Sequence, residues 1–175
     1  MEIKYSTISK TGKRHNNEDA FKVIDMPESN RFVGIVCDGM GGHSFGETAS
    51  ETVCNTISDF WKKHISTPDC DSKVKLACKK ASCAIDQKAF ELHHAKMGTT
   101  MVMVSIENDV ATIAHIGDSR CYVQRHDDGL LYQTKDHIRL DFGWETVAKC
   151  FFSYRSEVAV PDITSVRDNR VSYPI

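Results

Sequence analysis

The chain has 175 residues, 41% hydrophobic and 26% charged, with a formal net charge of −2. That size and balance suit one globular domain able to bury a core without staples. Near-neutral charge, with no basic run and no aromatic-basic repeat, excludes a chain drawn as a whole to nucleic acid or to an anionic membrane.

No apolar run approaches the ~20 residues of a membrane span, and Met1-Glu2-Ile3-Lys4 opens no secretory apolar region. The expectation is therefore a single domain over 1–175, cytoplasmic, with neither nucleic acid nor membrane as a partner. Seven cysteines (Cys37, Cys54, Cys70, Cys78, Cys83, Cys121 and Cys150) are odd in number and form no C-x-x-C pair. They read as free, buried thiols of a reducing compartment.

In chain order, residues 2–9 and 20–25 read as short strands flanking a polar loop. Residues 31–37 (RFVGIVC) are β-branched and apolar and stop at Asp38-Gly39, a buried strand running into a tight turn. Ser44 and Glu47 are spaced as a capping box. Ala49, Val53, Ile57, Phe60/Trp61 and Ile65 then follow at three- and four-residue spacing, an amphipathic helix of about five turns. Residues 66–72 carry a Pro and two Asp and form a connection. A second helix follows, with Val74, Cys78, Ala81, Ile85, Lys88/Ala89 and Leu92 on one stripe.

The next part is rich in strands. Residues 99–106, 110–116 and 119–125 are separated by turn signals. Glu107-Asn108-Asp109 joins the first two, and Asp127-Asp128-Gly129 joins the third to 130–133. Short connections make an antiparallel meander, and two one-sided helices need a flat apolar surface to cover. The class is α+β, with helices layered on antiparallel sheet. Beyond His137 the pattern weakens: residues 142–152 fit a short helix, and 159–163 open a further strand.

Five polar blocks interrupt these elements. In Gly12-Lys13-Arg14-His15-Asn16-Asn17-Glu18-Asp19, an arginine stands four residues ahead of a carboxylate pair. Its planar fork suits phosphate oxygens, and the carboxylates suit hard cations such as Mg²⁺ or Mn²⁺. In Cys37-Asp38-Gly39-Met40-Gly41-Gly42-His43, an aspartate ends a buried strand and meets three glycines. Glycine lets the backbone approach a ligand closely and frees the Gly39 carbonyl to coordinate. Met97-Gly98-Thr99-Thr100 places two hydroxyls where they can order a buried carboxylate or simply start a strand. Gly117-Asp118-Ser119-Arg120 is either a turn with a local ion pair or a carboxylate reaching a metal-bound water. Gln133-Thr134-Lys135-Asp136-His137, taken alone, is a polar loop.

Taken together and in this order, the blocks resemble the metal-dependent protein phosphatases of type 2C, whose motifs read G-x-x-R-x-x-N-E-D, D-G-M-G-G-H-x-x-G-E-x-A-S, M-G-T-T, G-D-S-R and T-x-D-H. The match here runs through Gly12, Arg14, Asn17-Glu18-Asp19, Asp38 to His43, Gly46-Glu47, Ala49-Ser50, Met97 to Thr100, Gly117 to Arg120, Thr134 and Asp136-His137. The resemblance implies an α-β-β-α sandwich of two antiparallel sheets flanked by helix pairs. It also implies hydrolysis of phosphoserine and phosphothreonine in a phosphorylated protein substrate by a water activated between two Mn²⁺ or Mg²⁺ ions.

On that resemblance Asp38 bridges both ions and Glu18 holds the second, with the Gly39 carbonyl beside it. Arg14 clamps the substrate phosphate, Asp19 and Thr100 support the metal site, and Asp118 serves a third, weaker ion. Animal members carry a histidine straight after D-G as general acid. Here that position is Met40, as in bacterial members, and leaving-group protonation falls to a metal-bound water.

The family continues with S-D-G and G-x-x-D-N motifs whose aspartates complete the first metal's ligands. After Ile163 this chain offers Asp168-Asn169 without an S-D-G before it, which reads as a chance pair. The C-terminal part of the sandwich is therefore expected to be missing or truncated. The alternative reading is a truncated, catalytically weak phosphatase-like module that binds a partner or a phosphoprotein.

Overall fold

A computed structural model describes residues 3–40, 45–125, 129–155 and 157–167. Strand β1 (Asp19–Met26) pairs antiparallel with β2 (Arg31–Asp38), in register from Asp19↔Asp38 to Met26↔Arg31. A 3-10 turn at Pro27–Ser29 joins them, closed by Asn30 at φ 51. Helices α1 (Gly46–Lys63) and α2 (Asp71–Glu91) follow. The chain then runs through β3 (Gly98–Thr99), β4 (Met101–Glu107), β5 (Val110–Ile116), β6 (Tyr122–Arg125), β7 (Gly129–Gln133), β8 (Ile138–Asp141), β9 (Trp144–Val147), β10 (Phe151–Phe152) and β11 (Asp162–Arg167).

One sheet has five strands in the order β1-β2-β4-β5-β11, every neighbouring pair antiparallel. The pairs β3/β10, β6/β7 and β8/β9 are two-stranded ribbons. Alternation along β2 sends Val33, Ile35 and Cys37 to one face, where Met101 and Met103 of β4 and Ala114 and Ile116 of β5 join them. Helix α1 covers that face with Ala49, Val53, Ile57 and Trp61, and α2 packs on with Val74, Cys78, Ala81, Ile85 and Ala89. Each fully buried Ile or Val contributes roughly 1.5–3 kcal/mol.

The α+β expectation is borne out, as are both helical stripes. Among the described residues the layers are one five-stranded sheet, one helix pair and three ribbons. On the face away from the helices, Phe21 and Val36 stay exposed.

Several local expectations are corrected. Residues 3–9 form no strand, because the apolar alternation at Ile3 and Tyr5 fails before Ile8; Tyr5 instead packs on Phe32 with ring centroids 5.5 Å apart. The helix expected at 142–152 is instead two strands, β9 paired with β8 and β10 paired with β3. Trp144, Val147 and Phe151 mimic helical spacing, but Phe142 (φ 51) and Gly143 (φ 84) form a two-residue hairpin turn between β8 and β9. The strand expected at 99–106 breaks at Thr100, since β3 pairs with β10 while β4 pairs with β2 and β5. The strand expected at 119–125 is confined to β6. Ser44 of the capping box lies outside the described residues; the N-cap of α1 is Phe45 without a side-chain bond. All seven cysteines are free, but Cys70 and Cys83 are exposed and Cys121 only partly buried, against the expectation that all are buried.

The connection before α2 is tied down by charge. Lys73 and Asp69 pair at 2.8 Å with side chains 2% and 5% exposed. Lys73 Nζ also donates to the Thr67 carbonyl at 2.9 Å and sits 4.4 Å from the centre of the Trp61 ring. Ser105 Oγ donates to Asp69, whose backbone N–H donates to Glu107 Oε2 at 2.9 Å. Removing one member of a buried pair leaves the other charge uncompensated. Lys73→Met is therefore expected to cost about 3 kcal/mol in urea unfolding. The same change at Lys88, whose partner Glu91 is exposed, is expected to leave the midpoint unmoved.

Candidate metal and phosphate site

The site grows from one end of the sheet, where β1 begins and β2 ends. The β1/β2 register sets Asp19 opposite Asp38. Like charges facing each other across strands repel. Burial pushes the Asp38 carboxyl above the usual carboxylate range; Asp19 and Asp118 push the same way, and the Arg14 guanidinium pulls against them. Two strand ends and the turn after β5 thus converge on one half-buried carboxylate, for which burial and its acidic neighbours outweigh the pull of Arg14.

Glu18 directly precedes β1. Its side chain lies against Gly46, where a Cβ would come within 3.0 Å of the Glu18 carboxyl carbon. Its carbonyl accepts from the Gly39 N–H at 3.0 Å and from Ser50 Oγ at 2.6 Å. Arg14 reaches Glu18 Oε2 at 3.5 Å with its side chain 66% exposed, free to meet a ligand. Gly39 is glycine because of close approach: a Cβ there would lie 2.2 Å from the Gly46 carbonyl oxygen and 2.7 Å from that of Glu18. Two backbone segments press together here, and side chains at 39 and 46 would force them apart.

Asp38 is held from the other side by the threonines. Thr100 Oγ1 accepts from the Asp38 N–H at 3.1 Å, and the Thr100 N–H donates to the Asp38 carbonyl at 2.9 Å. Thr99 Oγ1 donates to the same carbonyl at 2.9 Å. Ser119 Oγ lies 2.6 Å from Thr100 Oγ1, tying the turn that carries Asp118 to the Asp38 brace. Met40, which follows D-G, donates its N–H to the Gly98 carbonyl at 3.0 Å. A Cβ at Gly98 would meet Met40 Cε at 2.2 Å, so this side chain is a packing element.

Arg14, Glu18, Asp19, Asp38, Gly39, Thr100 and Asp118 are therefore brought to one end of the sheet. Gly41, Gly42, His43 and the pair Asp168-Asn169 lie outside the described residues. The sequence reading gave no role to Ser50, Gly46 or Ser119; all three stand inside the motif blocks, and that placement was their signal. The donor set of carboxylates and a backbone carbonyl suits a hard divalent cation, and the mutual repulsion at Asp38 calls for one. These residues fit such an ion.

A second cluster, His115, His137 and Asp162, brings its ligand atoms within 4.8 Å of one another. Its rings are parallel within 3°, with centroids 4.5 Å apart. A coordinated imidazole holds an ion near its own ring plane, and parallel stacked planes share no such point. In this arrangement the two histidines cannot ligate one ion together.

Residues 9–139 match the family model described as protein phosphatase 2C. Over 128 residues the chain is 33% identical to the serine/threonine phosphatase stp of Listeria innocua, an alignment covering 71% of this chain and 50% of that protein. Over 141 residues it is 33% identical to the serine/threonine protein phosphatase PstP of Mycobacterium tuberculosis, covering 77% of this chain and 25% of that one. The solved structure of a bacterial serine phosphatase superposes with a TM-score of 0.75 at 25% identity, covering 91% of this chain and 71% of the other. Stp1 from Staphylococcus aureus superposes with a TM-score of 0.74 at 24% identity, a likeness of fold. The chain spans about half the length of the Listeria relative.

Proposed function

We propose that this chain, which belongs to the protein phosphatase 2C family, hydrolyses phosphoserine and phosphothreonine in proteins with Mn²⁺ or Mg²⁺ as cofactor. The observation that carries this reading is the set of carboxylates from Asp19, Asp38 and Asp118 around one point, beside glycines that leave no room for a Cβ.

Asp38, Glu18, the Gly39 carbonyl and Asp118 would hold the ions, with Asp19 and Thr100 in support. Bound there, a pair of divalent ions supplies an activated water and neutralises phosphoryl charge. The residues do the rest. Arg14, exposed beside Glu18, offers a planar fork to two phosphate oxygens and so orients the monoester. Thr100 and Thr99 fix the main chain of Asp38 from both its N–H and its carbonyl, which sets where its Cβ leaves the strand end. None of the cysteines takes part, and no covalent phosphoenzyme is required.

A second reading is a phosphoprotein-binding module of weak activity. The two separate by assay: a phosphothreonine peptide incubated with the chain and Mn²⁺ releases phosphate, and chelator stops the release. Binding of the peptide without phosphate release would decide for the module.

A further inference from the structure

The fifth motif block has no role in the chemistry above, yet its contacts are specific. Thr134 to His137 are bonded almost residue by residue to Gly117 to Cys121. Thr134 Oγ1 accepts from the Cys121 N–H at 2.9 Å, and the Thr134 N–H donates to the Cys121 carbonyl at 3.1 Å. Asp136 takes Arg120 bidentately, through Nε at 2.9 Å and Nη2 at 2.6 Å. His137 holds Gly117 twice: its N–H donates to the Gly117 carbonyl at 2.9 Å, and its Nδ1 accepts from the Gly117 N–H at 3.0 Å.

We propose that His137, backed by Asp162, is a positioning residue that clamps Gly117 and thereby sets the turn presenting Asp118 and Ser119 to the candidate site. This rests on the functional reading of that site given above. The ring's protons follow from its partners. Because a backbone N–H points at Nδ1, that nitrogen is bare and the proton sits on Nε2. Nε2 lies 3.1 Å from Asp162 Oδ2, a close polar approach of a neutral ring rather than a straight hydrogen bond. Asp162 is itself held by Lys149 at 2.6 Å and stands opposite His115 in the β5/β11 register. His115 stacks flat on His137 and donates from Nε2 to the Lys135 carbonyl at 2.8 Å, which fixes the ring from the side.

Gly117 has no freedom to respond to a loss of this clamp without moving its neighbours. Its φ is +110, and a Cβ there would meet Thr100 Cγ2 at 2.6 Å. The turn is pinned between Thr100 and His137. Two residues on, Ser119 Oγ meets Thr100 Oγ1, which in turn accepts the Asp38 N–H. A shift of Gly117 therefore reaches Asp118 directly and Asp38 through two hydroxyls.

The test compares His137→Ala, His137→Asn and Asp162→Asn in the full chain; Asn at 137 places a carbonyl oxygen where Nδ1 stands. Two readouts are used: amide exchange at Gly117 and Asp38 by NMR, and the Mn²⁺ concentration giving half-maximal phosphopeptide hydrolysis. Outer-shell partners of metal ligands typically govern affinity by 10–100-fold. His137→Ala is expected to raise the half-maximal Mn²⁺ concentration by roughly tenfold or more, with KM for the peptide changed by less than about twofold. Gly117 exchange should accelerate in His137→Ala, return close to the parent value in His137→Asn, and accelerate partway in Asp162→Asn. Unchanged Gly117 exchange in His137→Ala, or equal loss in the Ala and Asn variants, overturns the proposal. A parent chain that neither binds Mn²⁺ nor hydrolyses the peptide overturns the functional reading instead, and exchange at Gly117 still decides the clamp.

Discussion

Asp38→Asn is expected to lower Mn²⁺-dependent phosphate release by about a thousandfold or more, since metal-borne charge stabilisation is worth several kcal/mol and each 1.36 kcal/mol is tenfold. The substitution is nearly isosteric, and the Asp38 backbone keeps its bonds to Thr99 and Thr100, so the fold should persist. It carries a second, metal-free signature. Asp38 has a raised carboxyl pKa in the folded chain. Between the ordinary carboxylate value and that raised value, the folded state binds more protons than the unfolded one. Stability of the metal-free chain therefore falls as pH rises through this window. In Asp38→Asn that part of the pH slope disappears. Urea unfolding across the carboxylate range in the presence of chelator measures it, and an unchanged slope would contradict the crowding of charge around Asp38.

Gly39→Ala is expected to be the most damaging added methyl among the glycines of the described residues. The new Cβ would stand 2.2 Å from the Gly46 carbonyl oxygen and 2.4 Å from its carbon, both main-chain atoms. No side chain can rotate out of the way. Overpacking of this kind costs about 3 kcal/mol, and here it also parts Glu18 from Gly39, whose N–H meets the Glu18 carbonyl. Stability and Mn²⁺ affinity should fall together. Gly34→Ala is the control. Its Cβ would meet only side chains of Phe32 and Val104 at 3.5 Å, ordinary contact, so unfolding should be unchanged or slightly harder. Thermal and urea unfolding of the two variants side by side separate a local clash from a general intolerance of alanine.

Much of the candidate site was legible because its polar blocks interrupt the apolar pattern of the elements around them and recur in one fixed order. An arginine before paired carboxylates, an aspartate closing a buried strand, and glycines straight after it all point to a ligand in the bare sequence. Their convergence was legible only in part. That Asp19 stands opposite Asp38 follows from the β1/β2 register, which the turn at Pro27–Ser29 sets. That Thr100 breaks a strand in order to brace Asp38 follows from a partner 62 residues away, and no local pattern announces it. The helices were read well because their stripes are long and regular. The region after His137 was misread because Trp144, Val147 and Phe151 imitate a helical stripe, while the deciding feature is a pair of positive φ angles at Phe142 and Gly143. His137 itself looked like part of a polar loop, since its work is done on the backbone of Gly117, which no side-chain pattern reveals.

The most direct test of the central claim, that Glu18, Asp38, Gly39 and Asp118 form a site requiring divalent cations, is a calorimetric titration of the chain with Mn²⁺, repeated on Asp38→Asn. Saturable binding by the parent, lost in the variant while both remain folded by circular dichroism, is the predicted result. Absence of binding by the parent, or equal binding by both, would contradict it.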